Sequence, residues 1–258
     1  MTHSNINLIT STALILIACV LTGCGGTKML KEPEPLTIGA SIATGSDPRL
    51  GASLDWVIVR DGPGTWARNA DWDEYLIRME NSGDQSLQII DVAVVDSLGF
   101  RVDSRHSRSQ LVKGTRETKR RYKDGGIRVK AGLSGKALVG TGVATAGTLV
   151  TVGLGTASSW GTLAAWMGGA VVVLPTMAVG GVVRGVNNIT VDTEIESRQS
   201  QFPLVLAAGE KKNLNVFFPL APSPRGIFVT YADSQHTYTL VIDTLTALDG
   251  LHLTRAAE

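Results

Sequence analysis

The sequence predicts a mainly β protein, a discontinuous β-sandwich interrupted by a Gly/Ala-rich α-helical hairpin. Three observations lead there. Short alternating apolar runs, each closed by a turn cluster, occur on both sides of the chain's middle. Between them, residues 137 to 183 carry no charge at all, although charged residues make up 18% of the whole. Neither strand-rich flank alone holds enough strands for a two-layer core, so the two must close one domain.

Taken in order, residues 1–23 have the form of a secretory signal peptide. The apolar run Ala13–Leu21 is nine residues long, well short of the roughly 20 that a membrane-spanning helix needs. It ends in Leu21-Thr22-Gly23-Cys24. These four residues resemble the lipobox of bacterial lipoproteins at every position. The n-region departs from the usual pattern, offering His3 in place of Lys or Arg. The resemblance covers residues 1–25 and implies three things: acylation of the Cys24 thiol with palmitate-type chains, removal of the peptide before it, and acylation of the new N-terminus. Gly25 in place of Asp implies, by the same resemblance, an outer-membrane anchor facing the periplasm. The only other cysteine is Cys19, in the removed segment. The mature chain is therefore expected to have no disulfide.

Residues 24–35 read as a Gly/Pro/charged tether. The first part of the sandwich, 36–130, holds strand candidates at 36–43, 54–60, 75–80 and around Ile90, Val92 and Val94, with turns at Asn81–Asp84 and Asp96–Gly99. Its last section, 101–130, has 11 basic and 3 acidic residues, against 5 basic and 12 acidic over 31–100. This block reads as a polar basic loop, with anionic lipid head groups as its alternative contact. The second part, 187–258, offers strands at 188–197, 213–220, 226–232 and 236–243. About eight short strands suggest an immunoglobulin-like architecture, although the Cys…Trp…Cys spacing of true immunoglobulin domains is absent.

The hydrophobic segment 131–186 is long enough for two helical spans of roughly 20 residues with a turn near Thr156–Ser159. Small residues recur four apart at Gly140 and Ala144, at Gly161, Ala165 and Gly169, and at Gly181 and Gly185. On a helix this spacing makes a smooth ridge for close packing, as in membrane helix pairs. Trp160 and Trp166 suit an interface, and Pro175 would kink the second helix. Two other readings stay open for this stretch: a soluble helical hairpin packed on its own domain, and an amphipathic β-hairpin of the pore-forming kind.

Catalytic signatures are missing. The three histidines of the mature chain, His106, His236 and His252, are scattered, and no HExxH motif occurs, so no metal site is expected. The stretch Ala131–Ala137 fails the phosphate-loop pattern at Lys130 and at Ala137. The expectation is a non-enzymatic, lipid-anchored envelope protein with a structural or interaction role and no cofactor. It would contact the membrane through its acyl chains, another copy of itself through the hairpin, and an envelope protein partner, but not nucleic acid. The alternatives are a soluble periplasmic partner-binding module, a subunit of a secretion or pore assembly, and an uncharacterised hydrolase.

Overall fold

The computed structural model describes residues 27–33, 35–132 and 184–254. These form a mainly β, sandwich-like fold of several antiparallel sheets with two helices. The strands are β1 (Lys28–Met29), β2 (Ala43–Ser46), β3 (Leu50–Ile58), β4 (Ala67–Arg68), β5 (Trp72–Asn81), β6 (Leu87–Val95) and β7 (Arg101–Asp103). Helix α1 (Arg108–Asp124), strand β8 (Arg128–Val129) and helix α2 (Arg184–Arg198) follow. Strands β9 (Leu204–Leu206), β10 (Lys211–Pro219), β11 (Gly226–Ala232), β12 (Thr237–Asp243) and β13 (Leu253–Thr254) complete the fold.

Two sheets form the sandwich, one ordered β10-β5-β3-β2 and the other β12-β11-β6-β7, with β9 also paired to β6. Both contain strands from each side of the uncharged segment, so the domain is discontinuous in sequence. The alternation of β5 sorts its side chains: Tyr75, Ile77 and Met79 enter the core between the sheets, where they meet Ile89, Val92, Phe218 and Ile227. A bulge between Leu54 and Trp56 shifts the register of β3. Leu54 therefore faces that core, while Trp56 turns to the opposite face and packs with Leu36 and Ile58.

The sandwich closes at its edges. Gly45 of β2 leaves no room for a Cβ against the carbonyl oxygen of Val241 in β12. The free edge of β10 is covered by backbone N–H groups of Ser200 and Arg105, which donate to Asn215 O and Phe217 O at 2.9 Å each.

Four sequence expectations need correction. Residues 188–197 are helix, not strand, and α2 crosses the expected boundary at 186. The buried positions Val191, Glu194 and Ile195, with Arg198 side chain nearly enclosed, follow a helical period, whereas Ile189 and Thr193 of the alternating reading are exposed. The basic block 101–130 is not a loop. It contains β7, α1 and β8, because Leu111, Thr115, Thr118 and Tyr122 make a buried stripe at helical spacing. Two of those four are threonine, and cations surround them, which masked the period. Residues 36–42 form an irregular strap instead of a strand, held by a backbone bond from the Ile42 N–H to Leu54 O (2.7 Å) and by Ser41 Oγ donating to Asp55 Oδ1 (2.7 Å) before β2 begins. Finally, the expected tether 24–35 is partly built into the fold, since β1 pairs with β4.

Candidate functional site

Both helices cover the outer face of the β10-β5-β3-β2 sheet, where a second core of Trp66, Trp72, Leu111, Val191, Ile195 and Phe217 forms. Helix α1 starts at Ser107, whose Oγ accepts the Gln110 N–H (3.4 Å). The Arg108 N–H donates to Asp192 Oδ1 at 2.8 Å, tying the two helices together. Farther along, Thr115 Oγ1 donates to Asp71 O (2.6 Å) and accepts the Leu220 N–H (2.9 Å), and Gly114 lies flat on Pro219. Tyr122 ends the buried stripe with its hydroxyl 2.8 Å from Ser97 Oγ.

Burial pushes the Tyr122 phenol up to about 12, the Ser97 hydrogen bond opposing. A phenol whose folded value lies above the unfolded 10 contributes stability that is complete below pH 10 and is lost as pH rises toward 12. Tyr122→Phe is accordingly expected to flatten the alkaline loss of stability across that window. Urea unfolding at a series of pH values tests it; identical alkaline slopes in both chains would contradict the assignment.

Helix α2 is held by a buried polar network. Arg198 Nε donates to Glu194 Oε1 at 2.6 Å, Arg198 lies 3.9 Å from Glu74 Oε2, and its guanidinium stacks 4.9 Å from the Trp66 ring centroid. Glu74 also accepts from Trp66 Nε1 and from Asn215 Nδ2, both at 2.8 Å. Burial drives the Glu74 carboxyl above the ordinary range, with Arg198 and these two hydrogen bonds pulling the other way. The hollow bounded by Thr65, Trp66, Trp72 and Glu74 has room for about one water. It is too small for a substrate.

A second network stands where the chain departs toward the uncharged segment. His252, fully buried, places Nδ1 3.2 Å from Lys130 O and Nε2 2.7 Å from Asp73 Oδ2. The carbonyl accepts, so Nδ1 donates, and a proton lies between Nε2 and the carboxylate. The Lys130 N–H returns a bond to His252 O (3.0 Å), and β13 pairs with β8. Two residues later Gly132, at φ +103°, sits so close to Arg60 O that a Cβ would be 3.0 Å away. Arg60 itself is bonded to Ala70 O and Asp71. This resembles a hydrolytic relay only superficially: Asp73 and His252 are 1% and 0% exposed, and no serine, threonine or cysteine hydroxyl or thiol touches the imidazole among the described residues.

The network fixes the mouth of the insertion. The chain leaves beside Arg60 and Ala70, and it returns as α2. Its N-terminal part enters at β1, whose Met29 packs into the same Trp66–Trp72 cluster. Of the residues singled out from sequence, Gly185 falls in the first turn of α2. Leu21, Thr22, Gly23, Cys24, Gly140, Ala144, Gly161, Ala165, Gly169 and Gly181 lie outside the described residues. Sequence reasoning missed the Glu74–Arg198 and Asp73–His252 pairs. The available signal was the run Trp72-Asp73-Glu74-Tyr75, two acids set between bulky aromatic residues at the start of a strand.

Among the described residues there is no cluster of three or more His, Cys, Asp or Glu able to hold a metal ion, and no helix long and apolar enough to cross a membrane. Comparison with protein-family models, curated proteins and solved structures gives no match.

Proposed function

We propose that this chain is a lipid-anchored envelope protein with a structural or interaction role, in which a β domain carries a membrane- or self-associating hairpin. The observation that carries the reading joins sequence to fold. The lipobox match ends at Cys24, and the fold is entered at Thr27, so no more than about 11 Å of chain separates the two. The entry strand β1 and the returning α2 pack on the Trp66–Ala70–Trp72 cluster, and Gly132 at the exit lies against the carbonyl of Arg60, whose guanidinium bonds Ala70 O. The described residues that lead to Cys24 and to the uncharged 47-residue stretch thus lie near one side of the sheet, which would let an acyl anchor and the hairpin engage the same bilayer. Acylation of both the Cys24 thiol and the new N-terminus would already supply the more than one chain that stable attachment takes, and the hairpin would add a second contact. The small-residue ridges within 137–183 would supply helix pairing once the segment is in an apolar medium.

The test is cell fractionation with mass spectrometry of the N-terminus. The parent chain is expected in the membrane fraction with an acylated Cys24, Cys24→Ser is expected as an uncut precursor, and removal of 137–183 is expected to abolish cross-linked oligomers while leaving acylation intact. A parent chain that is processed normally yet unacylated sinks the lipid anchor. Oligomers that survive the deletion sink the role of the hairpin.

A further inference from the structure

The outward face of α1 carries Lys113, Arg116, Arg120 and Lys123, spaced three, four and three residues apart, so that all four fall on one stripe of the helix. All four are exposed, and among the described residues none makes an ion pair. Their neighbours are different. Arg101 is held by Asp91 and Asp103, Arg108 by Asp192 and Lys119 by Asp71, while Arg121 lies over the Phe100 ring. The structure therefore pairs Arg101, Arg108 and Lys119 with carboxylates and leaves the stripe without one. Glu117 and Asp124 border it on one flank, two carboxylates against four cations. Just beyond the helix, Arg128 and Lys130 are exposed as well, and the uncharged segment begins seven residues after Lys130.

We propose that this face of α1 docks on an anionic bilayer surface and holds the helical layer, not the open face of the β12-β11-β6-β7 sheet, against the membrane. The inference rests on the lipid-anchor reading for its geometry. Cys24 lies within about 11 Å of chain from Thr27, and β1 packs on the same side of the sheet as α1 and α2. A fold tethered that closely cannot turn freely, so the side that carries the anchor faces the lipid, and the charge on that side decides whether it is attracted. Phosphate head groups match an unpaired row of Lys and Arg. Each such cation near an anionic surface favours binding by about fivefold, and the effect falls off within a Debye length of about 8 Å at physiological salt.

The experiment reconstitutes the purified full chain into vesicles of phosphatidylcholine, with and without phosphatidylglycerol bearing a photoactivatable head group, and maps the cross-linked peptides by mass spectrometry. Adducts are expected on peptides from 108–130 at low salt, to fall at high salt, and to be lost from 226–243. Replacing Lys113, Arg116, Arg120 and Lys123 together with glutamine is expected to lower the adduct yield on 108–130 by about tenfold or more. Glu117→Gln with Asp124→Asn, which leaves every cation in place, is expected to raise it. Equal labelling of 108–130 and 226–243, or a yield unchanged by both variants, overturns the proposal. The same spectra report the state of Cys24. Acylation without α1 adducts retires the docking face and keeps the anchor; α1 adducts on an unacylated chain do the reverse.

Discussion

Arg198→Met is expected to lower the unfolding free energy by about 3–5 kcal/mol, the usual cost of removing one partner from a buried ionic group. Arg198 is 7% exposed, beside Glu194 at 8% and Glu74 at 1%. Its removal strands two carboxylates in a shell of tryptophan and aliphatic side chains, where Trp66 and Asn215 can satisfy Glu74 in part but nothing satisfies the charge. Methionine keeps most of the volume, so the loss reports electrostatics more than a cavity. The pH dependence gives a second reading. Glu74 already sits above the ordinary carboxylate range because it is buried, and Arg198 is the chief influence holding it down. With Arg198 gone it moves further up. A carboxyl raised in the folded state destabilises progressively as pH rises through its folded value and imposes nothing below its unfolded one. The defect in Arg198→Met should therefore be smaller at mildly acidic pH than at neutral pH. Urea unfolding at both values checks this; a loss under about 1 kcal/mol, or one that grows on acidification, contradicts the network as described.

Gly114→Val is expected to be the next most damaging single change, and its sign turns on two opposed effects. Glycine inside a helix costs about 1 kcal/mol relative to alanine, so any side chain at 114 begins with a gain. Against it, a Cβ on Gly114 would lie 2.5 Å from Cγ and 2.9 Å from Cβ of Pro219. The proline ring cannot swing aside, and Pro219 is held in β10 opposite Trp72. Relief must come from α1 lifting off the sheet, which would also strain the Thr115 bonds to Asp71 and Leu220. Overpacking of this kind costs about 1–3 kcal/mol. For Gly114→Ala the net loss is expected near 1 kcal/mol, and for valine, with its two further methyls, near the upper end. A thermal melt of each variant checks the order. A stabilised Gly114→Ala would mean that helix propensity outweighs the contact.

The two networks and the close helix–sheet contact serve one purpose in the fold. His252 ties Lys130, two residues before Gly132, to β5, and Arg198 ties the C-terminal end of α2 to the same strand. Asp73 and Glu74, adjacent in β5, thus each hold one of these two distant segments.

Much of the architecture could be read from local pattern alone. The run 226–232 alternates and is bounded by turns, and it is a strand over those residues. The turn at Asp96–Gly99 and the discontinuity of the β domain were legible for the same reason: alternation and turn chemistry are local properties, expressed wherever a half-buried pleat is formed. The resemblance of Leu21–Cys24 to a lipobox and the uncharged stretch are likewise contiguous signals, and the functional proposal rests on them. Tertiary structure decided what those signals could not. Ile189, Val191, Thr193 and Ile195 alternate as a strand would, but Val191 and Ile195 also stand one helical turn apart, and only the Trp66–Phe217 surface selects that pair and leaves Ile189 in solvent. In α1 the sequence shows a basic run, and the surface offered by Trp66, Phe217 and Leu220 picks out Leu111, Thr115 and Tyr122 as its inward face. The acids in β5 were silent for a related reason. Asp73 and Glu74 are tolerable in a buried strand only beside His252 and Arg198, which lie 179 and 124 positions away in the chain. A period can be read along a chain, but the cost of burying a charge depends on a partner that folding brings from a distance.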